Sequence, residues 1–324
     1  MRISRSPLRR GSLVRRGAVA ALATSALLLS GCAGDDLAGD DSSGDSSEAS
    51  GGGEVTIASQ SFDEAALVTA MYQLLLEDAG YTVEVNLVDS RPAYLSQFPG
   101  SVDVVPEYAA GLADQLNTEI NGEDAGQIST SDLDETLDAM APLLEEKGIT
   151  LLDASEAASQ NAYFVTQDYA DENDVTALSD LEGETITLAA APDCTGRDDC
   201  LAGLTDVYGI DATLLPLGYA SPQTYQAVID GEAQLGQTGT LDGTLADQGL
   251  VLLDDDRGIQ PAQNLVPAVS TEFLDAHEDV TEPLEELMAS LDNETLGQLI
   301  ARVSVDREAV EDVAQDYLTE AGLL

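Results

Sequence analysis

Tryptophan is missing from this 324-residue chain, phenylalanine occurs four times and histidine once. With His277 as the lone imidazole, a histidine-based metal site is poorly supplied, so no metal is expected. Nucleophile and phosphate motifs are missing as well: there is no G-x-S-x-G and no G-x-x-x-x-G-K-[ST]. Carboxylates abound, but among 61 Asp and Glu any chosen pair says nothing about acid–base catalysis. These absences point away from an enzyme and leave no cofactor in view. Positive charge is scarce too. Lys147 is the single lysine, and six arginines lie in the first sixteen residues. Without that segment six basic residues face 61 acidic ones, a formal charge of −55 against −49 for the whole chain. Nucleic acid is excluded as a partner, because counterion release needs clustered Lys and Arg. Self-repulsion of this size opposes compactness, and at ~1 M salt the screening length of ~3 Å relieves it. A salt-rich habitat is expected; thermal stability indifferent to salt between roughly 0.05 and 2 M would remove that expectation.

What is present begins with the N-terminus. MRISRSPLRRGSLVRR is basic, GAVAALATSALLL is apolar, and Leu29-Ser30-Gly31-Cys32 closes the run. That order resembles the bacterial lipobox, which implies a lipoprotein signal peptide over residues 1–31 and lipidation of Cys32. An ordinary signal peptide or a membrane anchor is the alternative, although the run is shorter than the ~20 residues a spanning helix needs. Arg9-Arg10 leaves Sec and twin-arginine export both open. After Cys32, residues 33–53 hold one leucine among small, acidic and glycine residues, so 32–53 reads as a disordered acidic tether. The expected localisation is extracytoplasmic, anchored to the cell membrane. Cys194 and Cys200 in DCTGRDDC suggest a disulfide closing a small loop in an exported chain, with half of a metal site as the competing reading.

From Glu54 onward strands and helices alternate, which implies parallel α/β layers. EVTIAS reads as a strand, FDEAALVTAMYQLLLEDAG as an amphipathic helix with acids in its first turn, and YTVEVNLV as a strand. Residues 131–147 open with the box-like Ser131-Asp-Leu-Asp134 and continue as a helix to Gly148. No internal repeat is visible. The stretch VDVVPEYAAG, residues 102–111, reads as a short strand whose tip carries Tyr108 against Ala109, Ala110 and Gly111. In a chain with so few aromatics that placement raises the question of its purpose.

The segments VTIASQSFDEAALVTAMYQLLLEDAGYTVEV, RPAYLSQFPGSVDVVPEY, QNAYFVTQDYADENDVTALSDLEG, CLAGLTDVYGI and DGTLADQGLVLLDDDRGIQPAQNLVP follow one another in order. Together with the closing REAVEDVAQDYLTEAGLL they resemble the substrate-binding proteins of ABC importers for glycine betaine, choline and related osmoprotectants. The resemblance covers residues 54–324 and implies an α/β, two-lobe periplasmic-binding-protein fold of type II with a hinge of two crossing strands. It implies crossings near Gln160–Phe164 and Asn264–Val269, lobe 1 as 54–160 plus 268–324, and lobe 2 as 161–267. It also implies a quaternary-ammonium ligand in the interlobe cleft and an ABC permease in the membrane as partner.

A trimethylammonium group donates no strong hydrogen bond and is attracted to aromatic faces, ~0.5–2 kcal/mol per ring. The family's tyrosine cage, carried over by motif, falls on Tyr108 in VPEY, Tyr163 in NAY and Tyr225 in TYQAV. Gln60 in ASQSFDE and Asn264 in QPAQNLVP match polar positions beside the ligand. For each, a purely structural role is the other reading. Arg197 is either a rim salt bridge or a carboxylate clamp. Departures from the family pattern are Ala109 and Gly111 where hydroxyls are usual, Gly239 where a ring is usual, and Ala262-Gln263 where Pro-Tyr is usual. Tyr219 and Tyr94 are candidates to replace the ring. Alternative functions are the same fold binding ectoine, carnitine or an amino acid, a secreted enzyme, and a sensor lipoprotein without transport.

Overall fold

The computed structural model describes residues 52–324. Cys32, the signal segment 1–31 and the tether up to residue 51 lie outside the described residues. The first stretch of chain forms β1 (Glu54–Gln60), α1 (Asp63–Asp78), β2 (Thr82–Val88), α2 (Arg91–Leu95) and β3 (Val104–Tyr108). It continues as α3 (Ala109–Asn121), α4 (Leu133–Lys147) and β4 (Ile149–Leu151). A second stretch forms β5 (Asn161–Thr166), α5 (Gln167–Asn173), β6 (Thr185–Ala190), α6 (Leu201–Asp206) and β7 (Asp211–Pro216). α7 (Pro222–Ile229), β8 (Leu235–Gly239) and β9 (Leu250–Leu253) complete it. The chain then returns as β10 (Leu265–Ser270), followed by α8 (Thr271–Ala276), α9 (Thr281–Ser290), α10 (Asn293–Ser304) and α11 (Val310–Ala321).

Local chemistry explains most boundaries. α1 starts with Asp63 and Glu64 at the positive end of its dipole and buries Leu67, Val68, Met71 and Leu75. α4 is capped by Asp132, whose carboxylate accepts from the Glu135 amide at 2.9 Å, one residue later than the expected Ser131. It ends where Gly148 turns left-handed at φ 73°. β3 is longer than the apolar run suggested: all five residues from Val104 to Tyr108 are buried. α3 follows without a linker, with Tyr108 as its N-cap. Its apolar face is Leu112, Ala113 and Leu116, and the small residues after Tyr108 form its first turn. A side chain at Gly111 would place Cβ 2.6 Å from the Arg91 guanidinium, so the smallness there makes room for Arg91.

The strands build two five-stranded sheets, ordered β2-β1-β3-β10-β4 and β7-β6-β8-β5-β9. β1 runs parallel to β2 and β3, and β6 parallel to β7 and β8. The expectation of parallel layers holds for these strands and not for β10 and β5, which are antiparallel to both their neighbours. Each of these strands enters its sheet directly from the other half of the chain, so no helical crossover imposes a parallel direction. Helices α1, α9, α10 and α11 pack on one face of the first sheet, and α3 and α4 on the other. Two further cores cover the second sheet.

The two sheets are joined by residues 152–160 and 254–264, which pair with each other as they cross. The Ser155 amide donates to the Leu265 carbonyl, Leu265 to Ala157, and Ser159 to Gln263, at 2.8–3.0 Å. The expected crossing near Asn264–Val269 is displaced, because β10 is already paired to β3 from Leu265 onward.

Candidate functional site

Strand ends of both sheets meet the crossing segments beside a cleft of about 570 Å³. Glu64 of α1 and Ile300 of α10 line it from one side, Tyr225 of α7 and Thr238–Asp242 from the other. Ser159, Gln160, Gln260 and Pro261 of the crossing segments line it between them. Sites at strand ends between two α/β halves are where such folds bury small ligands.

The loop after β6 brings charge to this cleft. Cys194 and Cys200, both fully buried, are joined by a disulfide, and the loop they close carries Arg197 and Asp199 to the wall. Arg197 donates to both Asp199 oxygens, at 2.9 and 2.6 Å, and to Asp193 at 3.2 Å. These bonds to Asp199 and Asp193 hold the guanidinium in its charged form. Arg197 is therefore a salt bridge of the rim that also lines the cleft. Asp242 accepts from Tyr225 Oη and Thr238 Oγ1, each at 2.6 Å. Glu64 accepts from Tyr108 Oη at 2.6 Å and from Ser159 Oγ at 3.0 Å. Burial pushes the Glu64 carboxyl up, and the hydrogen bonds from Tyr108 and Ser159 partly offset that.

The five residues expected at the ligand are not equivalent. Tyr225 lines the cleft, with its ring stacked on Phe164 at 5.2 Å between centroids. Tyr108 is buried and reaches the cleft through its hydroxyl on Glu64. Tyr163 is placed differently: it lies in the core of the second half, 1% exposed, with its hydroxyl on the Asp199 carbonyl at 3.0 Å. Sheet alternation is the reason: Tyr163 takes the face of β5 packed against Leu178, Leu204 and Tyr208, while Phe164 takes the opposite face under Tyr225. Asn264 is spent on the crossing: its amide donates to the Ser155 carbonyl and its own carbonyl accepts from Ala109. Gln60 ends β1 opposite Val88 and does not line the cleft.

The missing ring at Gly239 has a structural counterpart. A side chain there would place Cβ 2.7 Å from Tyr219 Oη, so Tyr219 stands over the glycine and lines the cleft. The next residue, Ala220, is held at φ +43°, an uncommon left-handed conformation for a residue with a Cβ. Desolvation of its hydroxyl against the cleft wall, then the charges of Asp242 and Glu64, push the Tyr219 phenol up to about 12, although the side chain as a whole is half exposed. Tyr94, the other candidate, is 2% exposed and bonded to Glu107, away from the cleft.

Comparison with known proteins decides the family. The profile of the substrate-binding domain of ABC-type glycine betaine transport systems matches residues 53–320. This chain belongs to that family. A glycine-betaine-binding protein of Pseudomonas aeruginosa is 27% identical over 287 residues, 83% of this chain and 88% of that protein. The glycine betaine-binding protein YehZ of Escherichia coli is 28% identical over 286 residues, 83% and 90% respectively. The apo structure of YehZ aligns with a TM-score of 0.71 at 25% identity, covering 84% of this chain and 99% of that one. This substrate-binding protein therefore has the two-lobe fold of its relatives.

Within that family frame, sequence reasoning passed over Glu64, Asp199 and Gln260. Each is one acid or amide among many, and only the topology brings them to one cleft. Among the described residues no group of three or more His, Cys, Asp or Glu side chains is arranged to hold a metal ion.

Proposed function

We propose that this protein is the solute-capturing component of an ABC importer, held outside the cytoplasmic membrane by a lipidated Cys32 and the tether that follows. Residues 54–160 with the return segment through 324 act as one lobe and 161 to the second crossing as the other. The solute is a quaternary ammonium compound, glycine betaine, choline or a relative, and closure of the lobes presents it to the permease. The two curated relatives compared above are named for glycine betaine, which favours this ligand class. One observation carries the reading: two tyrosines, Tyr219 and Tyr225, line a cleft with three carboxylates and a single guanidinium. Aromatic faces and negative charge together suit a diffuse cation that cannot donate hydrogen bonds from its nitrogen. Tyr108 acts by holding Glu64, and Tyr163 and Asn264 support the cleft from behind. No step of chemistry is required of any residue, so the protein binds and releases its solute unchanged.

Calorimetric titration at high salt with glycine betaine, choline, carnitine, ectoine and proline tests this. Saturable heat with at least one methylated ammonium is expected. Heat with proline or ectoine alone would replace the ligand class, and silence across the series would remove the transport reading.

A further inference from the structure

After β8 the chain reaches out of its own half. Leu241 follows a strand of the second sheet, yet it is 7% exposed within the hydrophobic core of the first half, which also holds Leu296 and Leu299 of α10. The backbone lies as close. An added Cβ on Gly297 would sit 3.1 Å from the Leu241 carbonyl oxygen, and one on Gly243 would sit 2.5 Å from that of Gly297. The two glycines let α10 and this segment meet without side chains between them. Thr240 fixes the start of the segment, donating its amide to the Gln160 carbonyl at 3.0 Å and its hydroxyl to the Ala158 carbonyl. Asp242 then faces back to the second half. Its carboxylate accepts from Tyr225 Oη and Thr238 Oγ1 at 2.6 Å, and from the Thr244 amide and hydroxyl at 3.1 and 2.6 Å. A tight turn links the two residues: the Asp242 amide donates to the Gly239 carbonyl at 3.2 Å and the Gly243 amide to the Leu241 carbonyl at 3.0 Å. Leu241, Asp242 and Tyr225 all line the cleft.

Resting on the solute-binding reading above, we infer that Leu241 is a positioning residue for the ligand, acting through Asp242 on the ring of Tyr225. Adjacent residues of one turn are held by opposite halves, Leu241 by the apolar core of the first and Asp242 by hydroxyls of the second. Separating the halves exposes the leucine to water, which is unfavourable, or drags the turn and with it the acceptor that holds the Tyr225 hydroxyl. The ring is therefore set against the ligand only while Leu241 is seated. Ligand binding and seating favour each other, because a ligand that gains its ring contact in one arrangement alone shifts the population toward it.

The test is a double-mutant cycle read by calorimetry, with glycine betaine, choline and tetramethylammonium as probes. Leu241→Ala is expected to weaken binding of whichever probe binds by about tenfold or more, and Leu241→Met, which refills the core, by less than about threefold. The same Leu241→Ala change in a Tyr225→Phe protein, which keeps the ring and gives up its bond to Asp242, should weaken binding by less than about threefold. Equal factors in the two backgrounds would make Leu241 a structural residue only and overturn the inference, as would unchanged affinity of Leu241→Ala. Hydrogen exchange on the unaltered protein covers a variant that fails to fold: saturating probe should slow the amides of residues 240–244 and of α10 together, by about tenfold or more. No slowing there, with binding intact, likewise overturns the inference. No heat from any probe with the unaltered protein would instead remove the solute-binding reading on which the inference rests.

Discussion

The two halves of the molecule share one strand plan and differ in what they mount on it. In each sheet a central five-residue strand, β3 or β8, lies between a parallel strand and an antiparallel strand that has crossed from the other half. The registers correspond. Val104 pairs with Ile57 and Tyr108 with Leu265; Leu235 pairs with Leu188 and Gly239 with Asn161. Tyr108 and Gly239 are therefore equivalent positions, as are Glu107 and Thr238. The first half places a ring at the strand end and a carboxylate behind it. The second places a glycine there and recruits its ring from Tyr219, outside the strand. A duplicated frame thus sets where a ligand binds, and the unlike residues at matching positions set what it meets.

The residues behind the rings should break this equivalence most. Glu107 is fully buried and takes the Arg91 guanidinium on both oxygens at 3.1 Å, with Tyr94 Oη and the Tyr108 amide as further donors. Arg91→Met leaves that buried carboxylate without its counter-ion, and chemical denaturation should register a loss of about 3–5 kcal/mol. Thr238→Val at the matching position removes one hydroxyl from Asp242, which keeps Tyr225 and Thr244. That loss should be about 1 kcal/mol. Equal losses would mean that the two halves are more alike than their residues.

The duplicated plan was only half legible in the sequence. Alternating runs located β1, α1, β2 and the closing helices, because an amphipathic period depends on neighbours a few residues away. The antiparallel entry of β5 and β10 was not legible, since strand direction follows from which distant segment crosses. α3 was hidden by Ala109, Ala110 and Gly111, and of these Gly111 is small because the Arg91 guanidinium stands against it. Tyr225 could be placed by motif. Tyr163 could not be told from a cage residue, since a tyrosine in a strand gives no sign of which face it takes. Glu64 could not be told from 60 other acids until Tyr108 was seen to hold it.

Closure between the halves offers the next largest effect. Gly243, after β8, approaches α10 so closely that an added Cβ would lie 2.5 Å from the Gly297 carbonyl oxygen. Gly243→Ala should act as a wedge of about 1–3 kcal/mol against the closed arrangement, weakening ligand binding by at least about fivefold. Unchanged affinity would show that this contact plays no part in closure. A smaller change tests the recruited ring. Tyr219 is 48% exposed, so Tyr219→Ala should leave stability within about 0.5 kcal/mol. Its loss should weaken binding of a trimethylammonium ligand by about 0.5–2 kcal/mol. Adding Gly239→Tyr to that variant restores a ring where the first half carries one, and affinity should recover. Failure to recover would mean that the halves are not interchangeable at this position.

The smallest expected effect concerns a group that only the first half supplies. Glu64 faces Tyr108 and Ser159 directly, with Arg197, Asp199 and Asp242 across the same cleft. Its carboxyl is raised above 4.5, chiefly by burial, so the unfolded chain loses this proton at lower pH than the folded one. The neutral form therefore contributes stability at low pH, and that contribution declines as pH rises from 4.5 through the folded-state value. A bound cation favours the ionised form. Affinity for choline or tetramethylammonium should accordingly rise with pH over the same interval and level off above it. A partly solvated ion pair is worth about 0.2–1 kcal/mol, so the rise should not exceed about fivefold. Glu64→Gln should flatten the profile, whereas Asp242→Asn should lower affinity without removing the slope. A slope that survives Glu64→Gln would assign the titration to another group and return the two halves to equal footing in charge.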